Sequence, residues 1–234
     1  MSRVAILPAL DEEDGIAAAI AGVPPGVVSE IIVVDNGSAD RTAERARAAG
    51  ARVVHEPRRG YGSACLAGVR AAPRALVYVF LDGDASEVAG GLADMVAVVE
   101  HGEAQLVLGV REGDVDPGAM PWQQRLGNRL LTTLLNRLSG GSLRDLPSLK
   151  VVDGPTLRSL GLREQTYGWT AELISRAAFR GVRITQVPTG LHRRRGRSKV
   201  SGSIANSLRA GRDIAATILR VWRDERRRRD CEHT

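Results

Sequence analysis

The chain has 234 residues, 43% hydrophobic but only 3% aromatic, which suits one α/β domain with a modest appendage and a core of Ala, Val, Leu and Ile. Its 33 basic and 27 acidic side chains give a net charge of +6, yet residues 191–229 alone hold 13 basic and 3 acidic groups, so the body is mildly acidic and only the tail invites an anionic partner. No apolar run approaches the roughly 18–20 residues that cross a bilayer, the start lacks a secretory pattern, and Cys65, Cys231 and the scattered histidines form no redox or zinc motif, so a cytoplasmic protein is expected.

Val4 to Leu7 is a short buried strand, and the acids Asp11 to Asp14 stand where a helix carrying Ile16, Ala19 and Ile20 should begin. Ile31 to Val34 is a second, wholly β-branched strand ending at Asp35-Asn36-Gly37-Ser38. Ala39 to Ala49 reads as a helix, Arg52 to Val54 as a strand, and Ser63 to Ala71 as a helix opened by Gly60-Tyr61-Gly62. The strongest strand, Ala75 to Leu81, runs straight into Asp82-Gly83-Asp84. Beyond it come a helix over Val88 to Glu100 and a strand over Gln105 to Gly109. A helix over Arg125 to Leu138 carries Leu126, Leu130, Leu134 and Leu138 on one face. Trp169 to Arg180 reads as a helix, Arg183 to Val187 as a strand, and Ile204 to Trp222 as a final amphipathic helix.

Apolar strands alternating with helices predict a mostly parallel sheet covered on both faces, and such sheets bind ligands at the carboxyl ends of their strands. Asp11, Glu12, Asp35, Asp82 and Asp84 all lie just past those ends. The first turn has no glycine before Gly15 and carries negative charge, which excludes a dinucleotide site; no Gly-Lys-Ser/Thr run exists for a phosphate loop. Asp-x-Asp after a strong strand suits Mg²⁺ or Mn²⁺ on a diphosphate instead.

Three stretches in order, Pro8-Ala9-Leu10-Asp11-Glu12-Glu13, Ile31 to Asp40 and Phe80-Leu81-Asp82-Gly83-Asp84, resemble the family 2 glycosyltransferases of GT-A fold. The likeness runs from about Arg3 to Gly202, and the branch most similar is that of dolichyl-phosphate mannosyltransferases and other polyprenyl-phosphate glycosyltransferases. It implies an inverting transfer from a UDP- or GDP-sugar. Pro8, Ala9, Leu10, Glu12 and Gly83 would line the donor pocket, and Asp35 would read the nucleoside. Asp84 would be the principal metal ligand, helped by Asp82 and Ser86, and Arg111 and Arg125 would face the phosphates. Glu172, in Tyr167 to Glu172, would be the base for a hydroxyl acceptor. Arg193, Ser198 and Lys199 resemble a loop that contacts an acceptor phosphate, the implied acceptor class being a polyprenyl phosphate with a small soluble hydroxyl acceptor as the alternative.

Some residues depart from that pattern or read two ways. Asn36 replaces a usual second Asp, Leu10 a usual aromatic, and Asp145 to Lys150 lacks the glycine typical after its Asp. Glu172 reads as a base or a helix-surface acid, and Trp169 and Tyr167 as acceptor contacts or core. The chain divides into a catalytic domain over 1–200 and a basic helix and tail over 201–234. That helix either packs on the domain or lies on an anionic membrane as a peripheral anchor, through Ile204, Leu208, Ile214, Ile218, Val221 and Trp222. Two other classes remain as alternatives: a basic nucleic-acid-binding protein, which would explain the tail but neither the strand-end acids nor the few aromatics, and a nucleotidyltransferase, which should bind a nucleoside triphosphate; no nucleic-acid partner is expected.

Overall fold

β-branched runs lie side by side where the alternation places them. The computed structural model describes residues 2–86, 91–192 and 204–232. In it β1 (Arg3–Ala9), β2 (Glu30–Asp35), β3 (Arg52–His55) and β4 (Val77–Phe80) alternate with α1 (Ile16–Ala21), α2 (Thr42–Ala48) and α3 (Tyr61–Ala71). Then come α4 (Leu92–Glu100), β5 (Leu106–Val115), α5 (Trp122–Ser139), β6 (Lys150–Asp153), α6 (Gly154–Ser159), α7 (Trp169–Phe179), β7 (Ile184–Leu191) and α8 (Ile204–Glu232). The strands form one sheet in the order β3-β2-β1-β4-β6-β5-β7. β6 is antiparallel to both neighbours, and the other pairings are parallel.

Alternate residues of each strand feed two cores. Ile6, Ile32, Val34, Tyr78, Phe80, Leu106 and Leu108 pack with Leu135 of α5, Trp169 and Leu173 of α7, and Ile218 and Val221 of α8. Ala5, Leu7, Val33, Val79, Val107 and Val151 face the other way, onto Ile16 and Ile20 of α1 and Met95, Val96 and Val99 of α4. Such two-sided burial is why these strands read as continuous apolar runs.

Three sequence expectations change. The first helix begins at Ile16 rather than at the acids, because the Asp11, Glu12 and Glu13 N–H groups donate to Ser38, Thr42 and Asp40 instead of opening a helix. β6 and α6 were not anticipated. Buried Lys150 interrupts what would otherwise read as an apolar strand, although Asp153, which caps α6 by accepting the Thr156 N–H at 2.8 Å just before Pro155, was a legible helix start. On α5 the four leucines do not share a face. Each four-residue step overshoots a full turn by about 40°, so a strict i, i+4 series drifts around the helix. Leu135 and Thr132 are buried, Leu134 and Leu138 half-buried, and Leu126 and Leu130 exposed.

α8 is fastened to the domain rather than held apart from it. Ile218 and Val221 are fully buried, and Ile214 and Trp222 pack against the same core, which removes them from any membrane-facing stripe. The side chains of Ile204 and Leu208 lie outside the described residues. Glu225, also buried, accepts hydrogen bonds from Arg176, Arg180 and Arg228, while Arg220 pairs with Glu164 at 2.6 Å. Burial alone would raise Glu225, but hydrogen bonds from Arg180 and the charges of Arg180, Arg176 and Arg228 outweigh it and hold the carboxyl below its ordinary 4.5. Glu164 is lowered likewise, burial being opposed by bonds from Thr166 and the charge of Arg220. A lowered carboxylate contributes stability above its unfolded value and loses it as pH falls through its folded one. The melting temperature should therefore begin to fall below pH 4.5, and Glu225→Gln should flatten that decline. A profile of the same steepness in both proteins would dismiss the Glu225 cluster as its source.

Candidate active site

The carboxyl ends of β1, β2, β4 and β5 share one edge of the sheet. Because β6 runs the other way, its first residue, Lys150, reaches that edge opposite Phe80 and Leu108. At the β1 and β2 ends two loops are zipped together. The Asp11 N–H donates to Ser38 Oγ at 3.0 Å, the Glu12 N–H to Thr42 Oγ1 at 2.8 Å, and the Ala39 N–H to Asp11 Oδ1 at 2.7 Å. Pro8 and Ala9 are buried, and Leu10 and Glu12 half-buried. Asp35 accepts the Ser38 N–H on Oδ1 at 2.9 Å, and its Oδ2 lies 3.3 Å from His55 Nδ1. Asn36 donates to the Glu56 and Arg58 carbonyls at 2.9 and 2.8 Å and accepts the Gly60 N–H at 2.7 Å. A carboxylate cannot donate, so the amide is required here, and it ties the 56–60 loop to the end of β2.

Asp82, Gly83 and Asp84 follow β4 on a turn that packs against the start of the chain. A Cβ on Gly15 would lie 2.9 Å from Asp84 Cα, so glycine is needed there for the acids to sit this close to α1, and one on Gly83 would lie a tight 3.2 Å from the Pro8 carbonyl oxygen. Among the described residues two non-glycines have positive φ, Ala85 at 57° directly after this turn and Asp11 at 46° in the loop after β1. Strain of that kind gathers at functional sites. The bend at Ala85 aims the Ser86 N–H at Asp84 Oδ1, 2.9 Å away. Asp84 is buried and Asp82 half-buried. Two adjacent carboxylates fit a hard dication that takes its remaining oxygens from a diphosphate and water. Among the described residues no three His, Cys, Asp or Glu side chains form a complete cage.

Arg111, on β5, is clamped by Asp145: its Nε and Nη2 donate to the two carboxylate oxygens at 2.8 and 2.6 Å, and its N–H to Oδ2 at 3.0 Å. Burial opposes ionisation of Asp145, but Arg111 overcomes it and holds the carboxyl low. Glu172, on α7, is 0% exposed. Its Oε2 accepts the Arg163 and Glu164 N–H groups at 2.9 and 2.7 Å, and its Oε1 accepts both Nε and Nη2 of Arg176 at 3.1 Å. The loop so held accepts the Gly62 and Ser63 N–H groups at the start of α3 on the Thr166 and Gln165 carbonyls, at 3.1 and 2.9 Å.

The sequence model described as Glycosyl transferase family 2 matches residues 4–149. An uncharacterized glycosyltransferase of Mycobacterium tuberculosis is 39% identical over 219 residues, covering 93% of this chain and 95% of its own. The chain belongs to glycosyl transferase family 2. A dolichyl-phosphate hexose transferase of Haloferax volcanii is 33% identical over 203 residues, 86% of this chain and 84% of that one. Among solved structures, glucosyl-3-phosphoglycerate synthase of Mycobacterium tuberculosis with Mn²⁺, UDP-glucose and phosphoglyceric acid superposes with a TM-score of 0.75 at 28% identity, over 94% of this chain and 79% of that one. The sheet is thus the GT-A fold of family 2 enzymes, and the chain is a glycosyltransferase.

Within this family 2 frame the structure gathers Pro8, Ala9, Leu10, Glu12, Asp35, Asp82, Gly83, Asp84 and Ser86 at one edge. It separates the two arginines, Arg111 being covered by Asp145 while Arg125 is exposed on α5. Glu172, read as a base or a helix-surface acid, is not on the surface: no part of it is exposed and both its oxygens are engaged. Trp169 is core, its ring 4.7 Å from that of Phe80, whereas Tyr167 is exposed. Arg193, Ser198 and Lys199 lie outside the described residues; the chain enters their segment from His192, whose N–H donates to the Ser86 carbonyl at 2.7 Å. Sequence reasoning missed Lys150 and His55. Lys150 donates to the Pro147 and Ser148 carbonyls and to Thr170 Oγ1, joining the Asp145 loop to α7, and a lysine directly before Val151-Val152 was the available signal.

Proposed function

We propose that the chain moves a hexosyl group from a nucleoside-diphosphate sugar to a polyprenyl phosphate presented at an anionic membrane surface, by inverting displacement. The observation that carries the acceptor is an apolar stripe at the start of α5, where Trp122, Leu126 and Leu130 are 62%, 50% and 62% exposed. Arg125 and Arg129, also exposed, flank it on the same helix. Apolar and basic groups so mixed suit the boundary of an anionic bilayer, and Arg125 would meet a phosphate headgroup there. Membrane contact is thereby assigned to α5 instead of α8.

The chemistry agrees. A divalent cation, Mg²⁺ or Mn²⁺, between Asp82 and Asp84 would neutralise the departing nucleoside diphosphate. Asp35 and the zipped loops hold the nucleoside, and Ser86 keeps Asp84 aimed. An acceptor hydroxyl needs a base, which Glu172 is too enclosed to supply; a phosphate acceptor is already ionised and needs none. The similarity to the dolichyl-phosphate hexose transferase supports this acceptor. The structural likeness to glucosyl-3-phosphoglycerate synthase favours a second reading, a small soluble phosphorylated acceptor.

Radiolabelled UDP- and GDP-hexoses offered with Mn²⁺ and either a polyprenyl phosphate in anionic vesicles or 3-phosphoglycerate should separate the two. Label is expected in the lipid. Trp122→Gln/Leu126→Gln/Leu130→Gln should lose vesicle co-sedimentation and lipid labelling while still binding the donor. Labelling of phosphoglycerate alone would replace the lipid reading with the second one.

A further inference from the structure

The register of β2 and β3 sets an imidazole beside the carboxylate of the nucleoside edge. Asp35 pairs with His55 across the two strands, and His55 Nδ1 lies 3.3 Å from Asp35 Oδ2. The other oxygen, Oδ1, accepts the Ser38 N–H. The Asp35 side chain is only 11% exposed, while that of His55 is 64% exposed. What Asp35 offers a ligand is thus narrow and bounded on one side by the ring.

We propose that His55 is a specificity-determining residue, which engages one oxygen of Asp35 and so reserves it for a base with a single ring N–H, making the donor a uridine diphosphate sugar rather than a guanosine one. This rests on the nucleotide-sugar reading above. Uracil presents one N–H between two carbonyls, which one lone pair of Asp35 can accept. Guanine presents two adjacent donors, its ring N–H and its amino group, which call for both carboxylate oxygens side by side. Here the Ser38 N–H and the imidazole each take one side of the carboxylate, so a single N–H can reach one remaining lone pair, whereas two parallel donors need the remaining lone pairs of both oxygens together, past the ring. Unpaired donors in a closed site are what gives polar pockets their selectivity. The bulk of the ring beside Asp35 narrows the same approach. Cytosine has no ring N–H at this position, so Asp35 itself disfavours it whether or not His55 is present.

Calorimetric titration of UDP, GDP and CDP with Mn²⁺ into the full chain tests this, using wild type, His55→Ala and His55→Phe. Wild type is expected to bind UDP at least about tenfold more tightly than GDP, the scale of one lost polar contact. His55→Ala should narrow that ratio by about tenfold, mainly by strengthening GDP, with CDP weak throughout. His55→Phe keeps a ring without the hydrogen bond, so an intermediate ratio would divide the effect between bulk and bonding, and both parts belong to the proposal. A wild type that binds GDP as tightly as UDP overturns it, as does an unchanged ratio in His55→Ala. If no nucleotide binds wild type, the nucleotide-sugar reading falls as well; if UDP binds and the ratio does not move, the His55 assignment falls alone.

Discussion

Asp84→Ala is expected to lower sugar transfer by about 10³-fold or more, the scale on which charge stabilisation of a leaving group operates. The residue does two things at once. Its Oδ1 accepts the Ser86 N–H, closing the turn at Ala85, and its buried carboxylate supplies negative charge at the edge where the strands end. Alanine removes both, so the informative partner is Asp84→Asn, which keeps an oxygen for Ser86 while removing the charge. If metal binding is the role, both variants lose turnover and Mn²⁺ affinity, and Asp84→Asn melts within a few degrees of wild type. Initial rates with an accepted donor, together with Mn²⁺ titration of the nucleotide-free protein, read the two effects separately. Undiminished turnover by Asp84→Ala would remove the central claim.

What was legible in the sequence was whatever local pattern determines. β1, β2 and β4 are apolar because both their faces are covered, and the acids beyond them are conspicuous because nothing apolar follows. Those features placed the acidic edge of the sheet without a structure. What was not legible depends on partners far away in the chain. Glu172 looks like any acid in the first turn of a helix; only the arrival of the 163–164 N–H groups and of Arg176 makes it internal. Asn36 looked like a mild loss of charge, and only the two carbonyls of the 56–60 loop show why an amide stands there.

The same reason explains the tail. Ile214, Ile218, Val221 and Trp222 recur at helical spacing, and an amphipathic pattern states that one face is apolar without stating what covers it. The cover is α7 and the core beneath it, and the ion pairs of Glu225 and Glu164 fix the register of that contact. On α5 spacing put four leucines on one face, yet Leu134 and Leu138 pack against the core while Leu126 and Leu130 are exposed.

Glu172→Gln should cost stability first and activity only through it. One carboxylate accepts two backbone N–H groups and a two-pronged Arg176, and an amide must present an NH₂ to one of those donor sets. Breaking a buried pair by neutralising one partner typically costs about 3–5 kcal/mol, because the other charge is left uncompensated. In a chain of this size about 3 kcal/mol corresponds to a melting shift of roughly 6–12 °C. The damage should spread along a defined path. The 163–166 loop caps the first turn of α3, α3 begins beside Gly60, and Gly60 is held by Asn36 next to Asp35. Donor affinity should therefore weaken together with the melting temperature, as a base role would not require. Calorimetry and UDP titration on the same preparation decide between the two. An unchanged melting temperature and donor affinity, with turnover reduced by about 10²-fold or more, would restore Glu172 as the base and with it an acceptor that must lose a proton.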